Sequence, residues 1–254
     1  MKITVIVALL LGALMLPAGT AQARTSYHVD AQVAKNVILG KKAVVRGAVS
    51  PRAGNKMVIL QKRYTKRGPW QNVKTATTTA NGIFQFKDRV TTLKPRWYRV
   101  VKPGSKRIGA GSSAPLKVRV FKWHYLSQME WLEDGDWDTY SSIRMNGRSY
   151  ARSVAADNEF YGDLEVDLRR KCIKMQTAIG ALDDSASGVE VQVDVYGDDL
   201  SKFSRQFSLG EVEQASIRLN GVLRLRVSMA FLSSGRGNLA FPGLGSARLL
   251  CRFP

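Results

Sequence analysis

Histidine is nearly missing from this 254-residue chain: His28 and His124 are the only two, and neither sits in a recognisable motif. There is no G-x-S-x-G elbow and no H-E-x-x-H pair, so serine and zinc hydrolysis both lack their usual parts. Cysteine is equally scarce, with Cys172 and Cys251 alone, at a spacing that suggests no metal site. Beyond the N-terminus no apolar run approaches the roughly 20 residues that a membrane-spanning helix needs. Acidic residues are missing from a whole region. Between Arg24 and Val120 stand 22 Lys and Arg against two acids, Asp30 and Asp88. These absences argue against an enzyme, a resident cofactor and a transmembrane segment in the mature chain. Binding and structural roles remain.

The N-terminus carries Lys2, an uncharged apolar run from Ile3 to Leu16, the break Pro17-Ala18-Gly19, and small residues in Ala21-Gln22-Ala23. Charge, apolar run and cleavage site in that order predict a signal peptide over 1–23, with a buried core helix as the alternative. No cysteine follows the run to take a lipid. The expected product is secreted or extracellular and associated with the cell envelope. In such an oxidising compartment the cysteine pair predicts a Cys172–Cys251 disulfide; two buried free thiols are the alternative.

Charge divides the chain. Residues 121–254 carry 16 cations and 18 acids, so the +20 balance of 24–120 ends abruptly near residue 121. The expected organisation is a linker at 24–35, a basic domain at 36–120 and a second domain at 121–254. Lysine on sheet edges keeps them soluble, which explains many of the cations but not the missing acids. Lys62, Arg63, Lys66, Arg67, Lys106 and Arg107 are therefore candidates for polyanion binding. After export the expected partner is an anionic cell-wall polymer, not nucleic acid. Tyr64, Trp70, Trp97 and Tyr98 interleave with these cations and are read as core.

Short strands separated by turns fill 36–120. Val58, Leu60 and Tyr64 share a face in Lys56 to Tyr64, Lys66-Arg67-Gly68-Pro69 turns the chain, and Trp70 to Thr79 runs back. Asn81-Gly82 predicts a type I′ hairpin into Ile83, Phe84 and Phe86. Strands also fit Trp97 to Val101 and Leu116 to Phe121. This spacing indicates a β-sandwich. The run Gly47-Ala48-Val49-Ser50-Pro51, then Val58 to Arg63, Trp70, Thr75-Ala76-Thr77-Thr78, Asn81-Gly82-Ile83-Phe84 and Tyr98-Arg99 resembles a bacterial immunoglobulin-like domain. The resemblance implies a spacer or adhesion module.

In the second domain, Gly188 to Tyr196 puts Val189, Val191, Val193 and Val195 on one face, and Ala215 to Met229 alternates in the same way around Asn220-Gly221. In order, Tyr125-Leu126-Ser127, Ser142 to Tyr150, Leu164 to Leu168 leading to Cys172, Ala178-Ile179-Gly180, Asp183-Asp184-Ser185, the valine strand, Val222 to Val227 and Ala247 to Cys251 are similar to the NPCBM (novel putative carbohydrate-binding module) family. That resemblance implies an all-β chain in which an immunoglobulin-like sandwich precedes a galactose-binding-like jelly roll. In that fold the first and last strands lie close together, and a Cys251–Cys172 bridge fits it. Where the family carries a Trp-x-Asp-x-Arg run, this chain has Leu244-Gly245-Ser246-Ala247-Arg248.

The richest polar cluster is Glu130-Trp131-Leu132-Glu133-Asp134-Gly135-Asp136-Trp137-Asp138. Flat indoles among carboxylates suit a sugar site, with Asp134, Asp136 and Asp138 as acceptors, Trp137 as a stacking platform, and Tyr140, Tyr150 and Tyr161 along a face. The alternative is a solvated loop with Trp131 in the core. The three aspartates also resemble the start of a calcium loop. An EF-hand needs glycine where Thr139 stands and glutamate where Met145 stands, which leaves only a looser structural calcium site. The expected function is non-catalytic binding of an extracellular glycan beside a cationic module. A structural or adhesion protein without sugar binding is the alternative.

Overall fold

The computed structural model describes residues 25–51, 53–156, 161–232 and 240–253; the expected signal peptide lies outside them, as does the side chain of Tyr161. Up to the middle of the chain run β1 (His28–Gln32), β2 (Asn36–Ile38), β3 (Lys42–Ser50), β4 (Met57–Arg63), β5 (Gln71–Thr77), β6 (Ile83–Arg89), β7 (Arg96–Lys102), β8 (Gly111–Ser112) and β9 (Leu116–Tyr125). A single 3-10 turn at Leu126–Gln128 leads to β10 (Trp137–Met145), β11 (Arg148–Ala156), β12 (Tyr161–Asp167), β13 (Cys172–Ala181), β14 (Glu190–Gly197), β15 (Leu200–Ser208), β16 (Val212–Arg218), β17 (Arg224–Phe231) and β18 (Pro242–Cys251). The chain is all-β, and its sheets pack as sandwiches. No helix among the described residues is long and apolar enough to cross a membrane.

In the basic half, the β1-β3-β6 sheet faces β5-β4-β7-β9. Alternation closes one core between them, built on Val45, Val58, Leu60, Phe84, Phe86, Tyr98, Val100 and Val120. Two expectations change here. Within the expected linker, β1 pairs with β3 from His28↔Ser50 to Gln32↔Arg46, and Tyr27 and Val29 are buried, so residues 27–32 belong to the first sandwich. Val29 on the strand and Tyr27 just before it point into the core and dock this end of the chain. Asn81-Gly82 also closes no hairpin. Gly82 has φ +79°, and Val49 N–H donates to its carbonyl, so β6 pairs with β3 while β5 pairs with β4. The turn hands the chain from one sheet to the other, because the core rewards burial of Phe84 and Phe86 opposite β4.

Of the two acids in this half, Asp88 is committed to the interior. Fully buried Tyr98 donates its hydroxyl to Asp88 Oδ2 at 2.7 Å, and Lys62 Nζ approaches the same oxygen at 3.7 Å. Burial first, then this carboxylate, pushes the Tyr98 hydroxyl well above its ordinary pKa. Asp88→Ala strands that phenol without an acceptor and is expected to cost about 2–3 kcal/mol in urea unfolding of the mature chain.

The second sandwich sets β12-β17-β14-β15 against β10, β11, β18, β13 and β16. The valine strand supplies Val191, Val193 and Val195 to a core that includes Leu164, Met175, Ile179, Phe207, Leu225, Val227 and Leu249. Strand β18 pairs along one side with β13 and, at its end, with the second half of β9. The strands that open and close this half are therefore adjacent. Cys172 and Cys251 lie opposite each other in the β13–β18 register and form a disulfide.

Candidate functional site

Residues opposite each other on antiparallel strands project from the same face, so the registers locate a surface. Across the outer side of the second sandwich one row reads Ser216, Gln176, Arg248, Tyr125 on β16, β13, β18 and β9. The next reads Arg218, Lys174, Leu250, Trp123 on the same strands. The β10–β11 hairpin folds over the far end of this surface. It bends at Arg152, whose φ is +53°, and β18 bulges opposite it at Ser246, whose φ is +49°. The bend is fastened by Ser153: its hydroxyl accepts from Ser246 N–H at 3.0 Å and donates to the Tyr150 carbonyl at 2.8 Å. Ser246 Oγ in turn donates to the Ala151 carbonyl at 2.9 Å.

The folded hairpin leaves an open groove of about 480 Å³ between the Tyr150 wall and the sheet, lined also by Tyr125, Gln176, Gln214, Ser216 and Arg248. A glycine is required where the wall meets the floor. A Cβ on Gly245 would fall 2.7 Å from Tyr150 Cγ and 2.8 Å from Met145 Cε, so any side chain there displaces the tyrosine. Arg248 spans the floor, donating from Nη2 to Gln176 Oε1 at 3.1 Å with its guanidinium 4.7 Å from the Trp123 ring centre. Arg152 sits 4.8 Å over the Tyr125 ring. The groove thus offers aromatic faces, amides, hydroxyls and a guanidinium, and no carboxylate.

The expected sugar residues are scattered. Trp137 is 2% exposed, with its indole N–H donating to the Gly162 carbonyl at 3.2 Å, so it presents no ring face to solvent. The loop before it runs along the opposite sheet: Leu132 N–H donates to the Glu165 carbonyl, and Glu165 N–H returns to that of Glu133. Asp134, Asp136 and Asp138 are exposed on that loop and at the start of β10. Tyr140 is half-buried against a small cluster holding Ile143 and Met145. The backbone of Tyr161 opens β12. Of those whose side chains are described, Tyr150 alone lines the groove. Among the described residues no three His, Cys, Asp or Glu come together to hold a metal ion.

The basic half presents a different surface. Trp70 lies over two guanidiniums, with Arg63 Cζ at 4.3 Å and Arg99 Cζ at 4.5 Å from its ring centre. Arg99 Nε donates to Gln61 Oε1 at 2.7 Å, whereas Arg63 Nε is buried without a partner. Burial, then the charge of Arg63, lowers the Arg99 pKa. Trp97 is half-buried beside Lys117, whose Nζ is 5.4 Å from the ring centre. Trp70 and Trp97 are therefore surface platforms rather than core, unlike Tyr98. Lys62 is turned toward Asp88, while Lys66, Arg67, Lys106 and Arg107 lie exposed on turns.

His124 Nε2 is buried without a partner, and the ring packs at a tilt against Phe253 with 4.9 Å between ring centres. Burial, then Lys122, holds its pKa below 6.5, against a hydrogen bond to the Phe253 backbone. Glu130, Asp167 and Arg169 line the same hollow. The unfolded chain therefore takes up this proton at higher pH than the folded one, and stability contributed by neutral His124 is lost as pH falls from about 6.5 through the folded pKa. His124→Gln is expected to flatten that slope in thermal melts between pH 7 and pH 5.

No protein-family model matches the chain, and no curated protein matches it. Distant likenesses are found among solved structures. One is "Carbohydrate-Binding Module CBM36 in complex with calcium and xylotriose", at 11% identity and a TM-score of 0.28, covering 50% of this chain and 98% of that one. Another is the CBM36-1 domain of a multidomain xylanase from the hindgut metagenome of Trinervitermes trinervoides, at 7% identity and a TM-score of 0.27, covering 47% of this chain and 92% of that one.

Proposed function

We propose that this chain is an exported, non-catalytic carbohydrate-binding protein of the cell envelope. Two modules divide near residue 121: the second sandwich holds glycan in the Tyr125–Tyr150–Arg248 groove, and the basic sandwich adheres to anionic envelope polymers. The observation that carries the reading is the groove's composition. Tyrosine rings take the C–H faces of sugars, and Gln176, Gln214 and Ser216 offer donors and acceptors to hydroxyls. Among the described residues, the groove's lining includes no carboxylate or histidine that would serve as an acid or base for hydrolysis.

A glycan array probed with the mature chain, 24–254, tests this. Binding to a defined subset of glycans is expected, weakened at least tenfold by Gln176→Ala with Gln214→Ala while the melting temperature is unchanged. Silence across the array, or binding indifferent to both substitutions, contradicts the groove as a sugar site. The burial of Trp137 favours a second reading, a structural or adhesion protein without sugar binding, and silence on the array would support it.

A further inference from the structure

The acids of this protein are sorted by strand as well as by region. The linked strands β5, β4, β7, β9, β18 and β13 contain eleven Lys and Arg and no Asp or Glu. Three of them lie wholly in the basic half. β13 and β18 belong to the half where acids outnumber bases, and β9 joins the two. Glu213 on neighbouring β16 does not interrupt this face, because it is paired opposite core Ile179 and binds Arg205. Acids of the second half gather instead on the opposite sheet, where Glu165 and Asp163 pair with Arg224 and Arg226.

Strand β9 makes the two binding surfaces one. Val118 and Val120 enter the first core, Lys117 and Arg119 project the other way, and Phe121 is buried where the two halves meet. Lys117 stands beside Trp97, and Arg119 is exposed. Trp123 and Tyr125 take the far end, against Leu250 and Arg248. From Lys117 to Tyr125 the strand advances about 27 Å, with the twist usual for strands.

We infer that a single acidic polysaccharide binds along this shared strand, with sugar rings on the aromatic residues and its carboxylates on Arg248, Lys174, Arg119, Lys117 and the Arg63–Arg99 pair. The inference rests on the groove being a glycan site and names the class of glycan it takes. A polyphosphate or a lipid surface would satisfy the cations but would leave the amides and aromatic platforms without a use. Arg63 and Arg99 repel each other beside Trp70, so a bridging carboxylate relieves both. Joining two sites by one polymer multiplies affinity without new contacts, by about 100-fold or more when the chain spans both.

Titration calorimetry of the mature chain with length ladders of oligogalacturonate, oligomannuronate and hyaluronan tests this, with methyl-esterified oligogalacturonate as the neutral counterpart. At least one acidic ladder should bind about 100-fold more tightly once its oligomers exceed the span of β9. The exposed pair Lys117→Ser with Arg119→Ser should return long oligomers to the short-oligomer affinity at unchanged melting temperature. Equal binding of esterified and acidic oligomers would overturn the acidic assignment and leave the glycan reading standing. No gain with length, or no effect of the double substitution, would overturn the shared surface. If neutral glycans bind on the array and none of the three acidic ladders binds here, this inference alone fails. If nothing binds in either experiment, the proposed function fails with it.

Discussion

Trp137→Ala is expected to cost the mature chain about 3–5 kcal/mol of folding stability, and to reduce ligand binding only in proportion to the protein unfolded. The indole is 2% exposed in the cluster shared with Leu126, Val154, Leu164 and Met229, so truncation leaves a cavity that a two-sheet core closes poorly. It also deprives the Gly162 carbonyl of its N–H donor. Urea unfolding gives the stability, and calorimetric titration under strongly folding conditions gives the affinity of the folded fraction. A selective loss of binding with unchanged stability would return Trp137 to the ligand site and contradict its placement here.

The second large effect belongs to the disulfide. Cys172 and Cys251 are 79 residues apart, both fully buried, and clamp β13 to the last strand. Opening a loop of that length frees the unfolded chain by about 4–5 kcal/mol in the chain-entropy treatment. The double variant Cys172→Ala with Cys251→Ala should melt about 10–15 °C lower for a chain of this size. The same clamp positions Arg248 on β18, so glycan affinity should fall in this variant before global unfolding, as the end of β18 frays. A drop of only a few degrees would mean that the ladders with β13, β11 and β9 hold β18 without the bridge.

Much of the architecture is legible in the residues because it follows a period of two. The alternation of Val189 to Val195 placed that strand's buried face, and the alternation of Asp136, Trp137 and Asp138 already carried the signal that the indole points inward. The turn residues were less informative. Asn81-Gly82 and Asn220-Gly221 each supply a glycine at positive φ, yet both carry the chain between sheets rather than closing a hairpin. A turn's local preference does not say which strand its successor will pair with; the core decides that.

The groove was hidden for a related reason. Tyr125, Tyr150, Gln176, Ser216 and Arg248 come from five strands spread over more than a hundred residues, and only the registers bring them together. One signal was present: segments 171–182 and 240–254 hold no acid in a region where acids outnumber bases. Charge counted strand by strand, rather than domain by domain, marks this face. Gly245 and Ser246 mark the same place, since they allow the Tyr150 hairpin to fold over the sheet.

Side-chain and backbone NMR shifts of the mature chain, followed during titration with the tightest-binding oligosaccharide, test whether glycan binds on the outer face of β9, β18, β13 and β16. Perturbations should centre on the Gln176 and Gln214 amides, the Trp123 indole and the Arg248 guanidinium, with the Trp137 indole still. Shifts confined to the 130–138 loop and the β12-β17-β14-β15 face would contradict it.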